Sequence, residues 1–282
     1  MDGPNPFDHS GKPTHGHASL QQIIRHRIEN GIYVPERVPQ IAFQACEDPQ
    51  IKSAEEILGR IHCSIPADQS REYAHQRSTA ERRKGRFALN KLIRPLENAA
   101  LKKWAQAQRL LLDNADFQIP WERTGCFGES EHDVYHAPER GLWEKRNHLT
   151  HHGTWLEYFH RLLLHNWLFP DTSLFFKGFV EHEGQLLPLT TQHDIQALRG
   201  ATMNEIDRFM EKMGFFPIRH TAPSRQYDYL HPSLGIEVND LHDENVLFQP
   251  NGDLSVIDPI PMMEETSKIT RITRELTGDT SS

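Results

Sequence analysis

The sequence predicts an α+β chain, with helices concentrated in its first third and short strands after them. Three observations carry that expectation. Apolar residues recur at helical spacing up to about Asp113. The pattern then breaks at Asn114 into short segments punctuated by Gly125, Gly128, Pro138 and Gly141. Two turn signatures, His182-Glu183-Gly184 and Pro250-Asn251-Gly252-Asp253, each separate a pair of short apolar runs. The 282 residues suffice for one large domain or two small ones with a real core.

Residues 1–18 hold little to bury and are expected to be a disordered tail. Residues 19–95 are expected to form a helical N-terminal extension. Ser19 opens a helix through a capping box with Gln22; Ile23, Ile24 and Ile28 supply its apolar side and Gly31 ends it. Pro35, Pro39 and Pro49 mark loop, and a second short helix follows Ser53, capped through Glu56, with Ile57 and Leu58 buried. The run 66–86 is polar and basic, through Arg71, Arg77, Arg82, Arg83, Lys84 and Arg86. In an acidic chain, a solvated helix face or a linker fits it better than a phosphate contact. A longer helix runs from Phe87 to Asp113, interrupted near Pro95, with Leu96, Ala100, Trp104, Ala107 and Leu111 on its apolar side.

From Asn114 to about Phe179 the order is strand, turn, strand, helix, strand. The helix is Thr154–Asn166, carrying Trp155, Phe159, Leu162 and Leu163. Leu174–Val180 and Gln185–Thr190 form a hairpin. Thr202–Met213 is a helix capped by Thr202 and Glu205, with Met203, Ile206, Met210 and Met213 on its core face and Gly214 at its end.

Composition excludes several function classes. The 31 Lys+Arg against 39 Asp+Glu give a net charge of -8, which argues against nucleic acid as the main partner. No stretch approaches a membrane span, and Met1–Ser19 is too polar for a secretory signal. Cys46, Cys63 and Cys126 are too few and too far apart for a disulfide framework or a CxxC pair, which points to a reduced, cytoplasmic protein. Seven of the 18 histidines fall between His132 and His165, without HExxH or Cys/His pairing, and are expected to be incidental. The acidity is concentrated: Gln226–Ser267 holds nine acidic residues and no Lys or Arg, so the rest of the chain carries +1.

That acidic stretch contains the most informative segment, GIEVNDLHDENVLFQPNGDLSVIDPIPMM, Gly235–Met263. Ile236–Val238, Val246–Phe248 and Leu254–Ile257 are expected strands, the last two joined by Pro250–Asp253. The hairpin brings Asp240 and Asn245, before its first strand, together with Asp258, after its second. A carboxylate and a carboxamide in that relation can hold Mg²⁺ against the phosphates of a nucleotide, and a further carboxylate can orient an attacking hydroxyl. In isolation, Asp and Asn are also ordinary turn residues.

The spacing D-x-x-x-x-N followed by a strand-ending Asp resembles the catalytic and metal loops of the protein-kinase-like superfamily. The form D-L-H-x-x-N-V-L is similar to small branches such as the aminoglycoside phosphotransferases. The fuller motif E-V-N-D-L-H-D-E-N-V-L, with G-E-S-E-H-D-V-Y, E-Y-F-H-R-L-L-L-H-N-W-L-F-P-D-T and A-T-M-N-E-I-D-R-F-M-E-K-M-G-F upstream, resembles kinase-like domains of polyvalent proteins in bacterial phages and mobile elements. The resemblance covers about 100–265. It implies a compact two-lobed kinase-like fold over 96–282, with an N-lobe at about 114–190 and a reduced C-lobe at about 191–265. It also implies an ATP- and Mg²⁺-dependent phosphotransferase acting on a hydroxyl of an unknown protein or small molecule.

Position by position, the resemblance implies that Asp240 places the acceptor hydroxyl and that Asn245 and Asp258 hold the metal. Gly125, Gly128 and Ser130 would close over the phosphates, although both glycines also suit simple turns. Lys145 would reach the phosphates and Glu157 would pair with it, while Thr154-x-x-Glu157 is equally a capping box. Leu189 to Gln192 would form the hinge beside the adenine, with Leu189 and Thr191 binding the nucleotide. Val238 stands where many kinases have His, Pro259-Ile260 replaces Phe-Gly after Asp258, and only 24 residues follow Asp258, without an A-P-E motif. These departures keep a second reading open: a catalytically inactive kinase-fold module that binds nucleotide or a partner.

Overall fold

The computed structural model describes residues 20, 22–23, 48–64, 79–112, 122–123, 132–149, 152–182, 184–220, 222 and 225–263. The N-terminal tail, most of the first expected helix, the first part of the basic run and the expected phosphate loop with Gly125, Gly128 and Ser130 lie outside them. Four helices and several sheets make a mixed α+β architecture among the described residues. Two compact units divide it, the first Asp48–His160 with Leu174–Asp194, the second Arg161–Ser173 with Ile195 onward.

The first unit opens with α1, Pro49–Ser64. This helix begins earlier than expected. The Asp48 carboxylate accepts the Gln50 and Ile51 N–H groups at 2.8 and 3.2 Å, and Pro49 sits at the first helical position, where its missing N–H removes nothing. Leu58 is buried and Ile57 only half-buried. Next comes α2, Thr79–Gln108, which starts before Phe87 and runs through Pro95. The 95/96 boundary drawn from sequence therefore falls inside one helix.

The buried face of α2 differs from the expected one. Ile93, Glu97, Leu101, Trp104 and Ala105 are buried, whereas Leu96 is 54 % exposed. Apolar periodicity alone selected Leu96, but the core face here is built around a bonded carboxylate. Arg109 then adopts a left-handed φ of 58°, with Arg109 N–H bonded to the Gln106 carbonyl and Leu110 N–H to that of Ala105, a Schellman stop without glycine.

A six-stranded sheet follows, in the order β1-β5-β6-β4-β3-β2. Its strands are β1 (Leu111–Leu112), β2 (Glu122–Arg123), β3 (His132–Ala137), β4 (Leu142–Asn147), β5 (Phe175–His182) and β6 (Gln185–His193). Between β4 and β5 lies α3, Trp155–Leu168. Its Trp155 and Phe159 rings meet Phe176 and Phe179 of β5 edge-on, with centroids between 5.4 and 6.4 Å apart. Each such buried ring contributes roughly 2–3 kcal/mol of transfer free energy, so this aromatic cluster fixes which face of the sheet α3 covers.

The second unit contains α4 (Met203–Lys212), with a complete Thr202/Glu205 capping box and a Schellman stop at Gly214, φ 83°. Ile206 and Met210 are buried, while Met203 and Met213 are half-buried. Strands β8 (Phe216–Pro217), β9 (Tyr229–His231), β10 (Ile236–Asn239) and β13 (Ile260–Met263) form one antiparallel sheet. Strands β7 (Arg199–Gly200), β11 (Val246–Phe248) and β12 (Leu254–Val256) form another. The expected turn is present: Gly252 has φ 88°, its N–H bonds the Gln249 carbonyl, and Gln249 N–H bonds that of Asp253. Tyr229 donates to Asp207 at 2.7 Å, and burial followed by that bond pushes its phenol pKa well up, so it stays a neutral tie between β9 and α4.

His231 in β9 is buried, its Nδ1 accepts the Leu234 N–H at 3.2 Å, and its ring meets Phe215 edge-on. Burial pushes its pKa down to about 4 from 6.5. The unfolded chain therefore takes up this proton first, so the neutral ring's contribution is complete above about pH 6.5 and falls as pH drops toward 4. Urea unfolding at stepped pH should show wild type losing roughly 3 kcal/mol more than His231→Gln across that window. Parallel curves would show that His231 does not carry this acid sensitivity.

Candidate active site

The loop between β10 and β11 is built from local hydrogen bonds. Asp240 leaves β10 with φ 67°, a left-handed conformation that Asp and Asn tolerate better than most residues. His242 N–H bonds the Asp240 carbonyl at 3.1 Å, and Asn245 and Val246 N–H groups bond the His242 carbonyl at 3.0 and 2.9 Å. Asn245 Nδ2 donates to the Asp240 carbonyl at 2.9 Å and to Asp240 Oδ2 at 3.2 Å. This holds the aspartate's backbone and side chain together while leaving its side chain 48 % exposed. His242 Nδ1 accepts the Glu244 N–H at 3.3 Å, which ties the ring to its own loop.

Asp258 reaches the same end of the unit through two registers. Val246 pairs with Val256, and Ile257 N–H extends that ladder to the Asn245 carbonyl at 2.9 Å. Asn239 pairs with Ile260 in the antiparallel β10–β13 ladder, so Asp240 leaves one strand where the other begins, two residues after Asp258. Asp240, Asn245 and Asp258 thus converge.

A carboxamide oxygen and a carboxylate are the donor types that a hard cation takes. Asn245 commits Nδ2 to Asp240, which leaves Oδ1 as the oxygen able to face a metal. Among the described residues no group of three or more His, Cys, Asp or Glu is placed to hold a metal by itself. Mg²⁺ needs no such cage, since it keeps waters and takes its remaining ligands from phosphates.

The loop has supports that its spacing does not reveal. Arg225 donates to Asp228 at 2.7 Å, to Glu237 and to Asn239, anchoring the preceding turn to the strand that delivers Asp240. Burial opposes the Arg225 charge, but its bond and charge contact with Glu237 outweigh it and raise the pKa. Leu241 N–H bonds the Tyr227 carbonyl at 3.0 Å. Gly200 of β7 lies against the loop at the Asp243 backbone.

In the first unit, Lys145 of β4 is buried and lies opposite Thr190 of β6, which lies opposite Phe176 of β5. Directly opposite residues share a sheet face, and Phe176 packs on Phe159, so Lys145 lies on the face covered by α3. Leu189 and Thr191 lie opposite Arg146 and Glu144, on the other face. Leu189 and Thr191 thus lie on the face opposite to that of Lys145, whereas Thr190 and Gln192 of the same stretch share the Lys145 face. A one-residue offset inverts every side chain of a strand, and only the cross-strand register reveals it. Glu157 serves the start of α3: its Oε2 accepts the Gly153 N–H at 2.9 Å, and its own N–H bonds Thr154 Oγ1 at 3.1 Å.

Gly200 offers a direct check on the loop's packing. A Cβ there would stand 2.3 Å from the Asp243 carbonyl oxygen and 3.0 Å from its carbon, so backbone must move to admit it. Gly200→Ala should cost about 1–3 kcal/mol in urea unfolding and speed amide exchange across residues 241–246. Unchanged exchange there would mean that β7 does not brace the loop.

A family described as serine/threonine/tyrosine kinases found in polyvalent proteins matches residues 95–265. No curated protein and no solved structure matches the chain. The matched stretch is more than half of the 282 residues and contains Lys145, Glu157, Asp240, Asn245 and Asp258. The loop that joins Asp240 to Asn245 and the hairpin that returns Asp258 to it are therefore features of a chain that belongs to the kinase family of polyvalent proteins.

Proposed function

We propose that this chain is an ATP- and Mg²⁺-dependent phosphotransferase that moves the γ-phosphoryl group to a hydroxyl of a protein or small molecule. The observation that carries the reading is the convergence of Asp240, Asn245 and Asp258 at one end of the second unit. In this reading the N-lobe is about 114–190, most of it in the first unit, and the C-lobe about 191–265, most of it in the second.

Asp240, exposed and held by Asn245, orients the acceptor hydroxyl and receives its proton. The acceptor oxygen forms a bond to the γ-phosphorus as the bond from that phosphorus to the β–γ bridging oxygen breaks, and ADP leaves with the electron pair. Asn245 Oδ1 and the Asp258 carboxylate would hold Mg²⁺, which when bound offsets phosphate charge. Lys145 places its ammonium charge beside the phosphates, with Glu157 as its partner. Leu189 and Thr191, in the stretch Leu189–Gln192, would lie beside the adenine, and Thr190 and Gln192 of that stretch share the sheet face of Lys145. No helix among the described residues is long and apolar enough to cross a membrane. The widely spaced cysteines suggest a cytoplasmic setting, in a phage or mobile element of bacteria.

The test is Mg-ATP consumption by wild type, Asp258→Ala and Lys145→Met. Each variant should lose on the order of 10²–10³-fold in kcat, the usual effect of removing a group that stabilises transition-state charge. A wild type that binds no Mg-nucleotide overturns the reading. Two features favour an inactive module instead: Val238 stands where many kinases have His, and Pro259-Ile260 follows Asp258 in place of Phe-Gly. Nucleotide-dependent thermal stabilisation without turnover would select that alternative.

A further inference from the structure

The first unit contains a buried carboxylate that the phosphotransfer reading leaves without a role. Glu97 of α2 is 0 % exposed. Its Oε2 accepts the Trp155 N–H at 2.9 Å, and its Oε1 accepts the Leu156 N–H at 3.3 Å and lies 2.8 Å from His62 Nε2 on α1. Trp155 and Leu156 carry the first two N–H groups of α3, for which a helix has no internal acceptor. The next two are met locally, Glu157 N–H by Thr154 Oγ1 at 3.1 Å and Tyr158 N–H by the Thr154 carbonyl at 3.2 Å. Half of the cap therefore comes from Thr154 and half from a side chain 58 positions earlier.

Its neighbours on α2 reach the same place. Arg94 donates to the Leu149 carbonyl at 3.2 Å and to that of His152 at 3.4 Å, in the segment leading into α3. Asn98 Oδ1 accepts the Trp155 indole N–H. From α1, Glu55 lies 3.0 Å from His160 on α3. One turn of α2 thus grips the entry to α3 and its first turn, and α1 reaches a residue one turn further on. A buried carboxylate persists only where such bonds replace its water. The first turn of α3 carries Glu157, and α3 covers the sheet face that carries Lys145.

We infer that Glu97 is a positioning residue for phosphotransfer. By holding the first turn of α3 it sets Glu157 against the sheet that carries Lys145, and it makes turnover depend on docking of the α1–α2 pair. The inference rests on the phosphotransferase reading.

The test measures Mg-ATP consumption by the full chain as wild type, Glu97→Gln, Glu97→Ala and Leu101→Ala, the last a packing control on the same helix. Below the melting temperature of every variant, Glu97→Ala should lower kcat roughly tenfold or more while KM for ATP stays within about twofold. Glu97→Gln keeps one acceptor oxygen and should recover part of that loss. Leu101→Ala should lower Tm and leave kcat near wild type. Exchange of the Trp155 and Leu156 amides should quicken in both Glu97 variants. Glu97→Gln carries the comparison if Glu97→Ala does not fold. Wild-type kcat in the Glu97 variants of an active enzyme overturns the inference and leaves the phosphotransferase reading standing. An equal fall in kcat for Leu101→Ala reduces Glu97 to a packing role and overturns it likewise. A wild type without turnover overturns both.

Discussion

A backbone group cut off from water must find a partner. This chain meets that demand repeatedly with side chains, some from the same loop and some sent from other elements. Glu97 caps α3 from another helix, Asn245 holds the Asp240 carbonyl, and the Thr172 hydroxyl donates to the Val256 carbonyl. In each case the acceptor or donor also fixes a neighbouring element. The start of α3, the turn at Asp240 and the end of β12 are thereby defined by polar bonds rather than by apolar contact alone.

What was legible in the sequence was short-range. The Thr202/Glu205 box, the Gly214 stop and the Pro250–Asp253 turn each declare themselves within a few residues, because their bonds close locally. The approach of Asp258 to the Asp240–Asn245 loop was legible for a related reason: a two-strand hairpin fixes where its ends must meet. The face of α2 was not, since apolar spacing favoured Leu96 while the core took Glu97, whose partners are 35 and 58 residues away. The Asp48 cap was masked by Pro49, taken as loop but placed at the start of a helix. Which residues of Leu189–Gln192 share the Lys145 face depends on pairing with a strand more than forty residues earlier, which no local pattern encodes.

The charge reading also changes in three dimensions. The acidic run was counted from Gln226, one residue after the arginine that partly neutralises it. Arg225 engages Asp228 and the buried Glu237, so part of the excess is internal mortar for β10. Asp243, at 77 % exposure, Glu244, also exposed, and Asp240, at 48 %, are the carboxylates that the loop itself turns to solvent. The field of the site is therefore narrower than the sequence sum suggests.

The left-handed φ of Asp240 carries a consequence for anyone dissecting this loop genetically. Alanine is a poor probe at such a position, because a side chain without a polar tip favours right-handed or extended backbone. A truncation there alters the shape of the loop and the chemistry of the carboxylate at once. Asparagine shares the tolerance for this conformation, so the carboxamide isostere alone separates the lost charge from a displaced main chain.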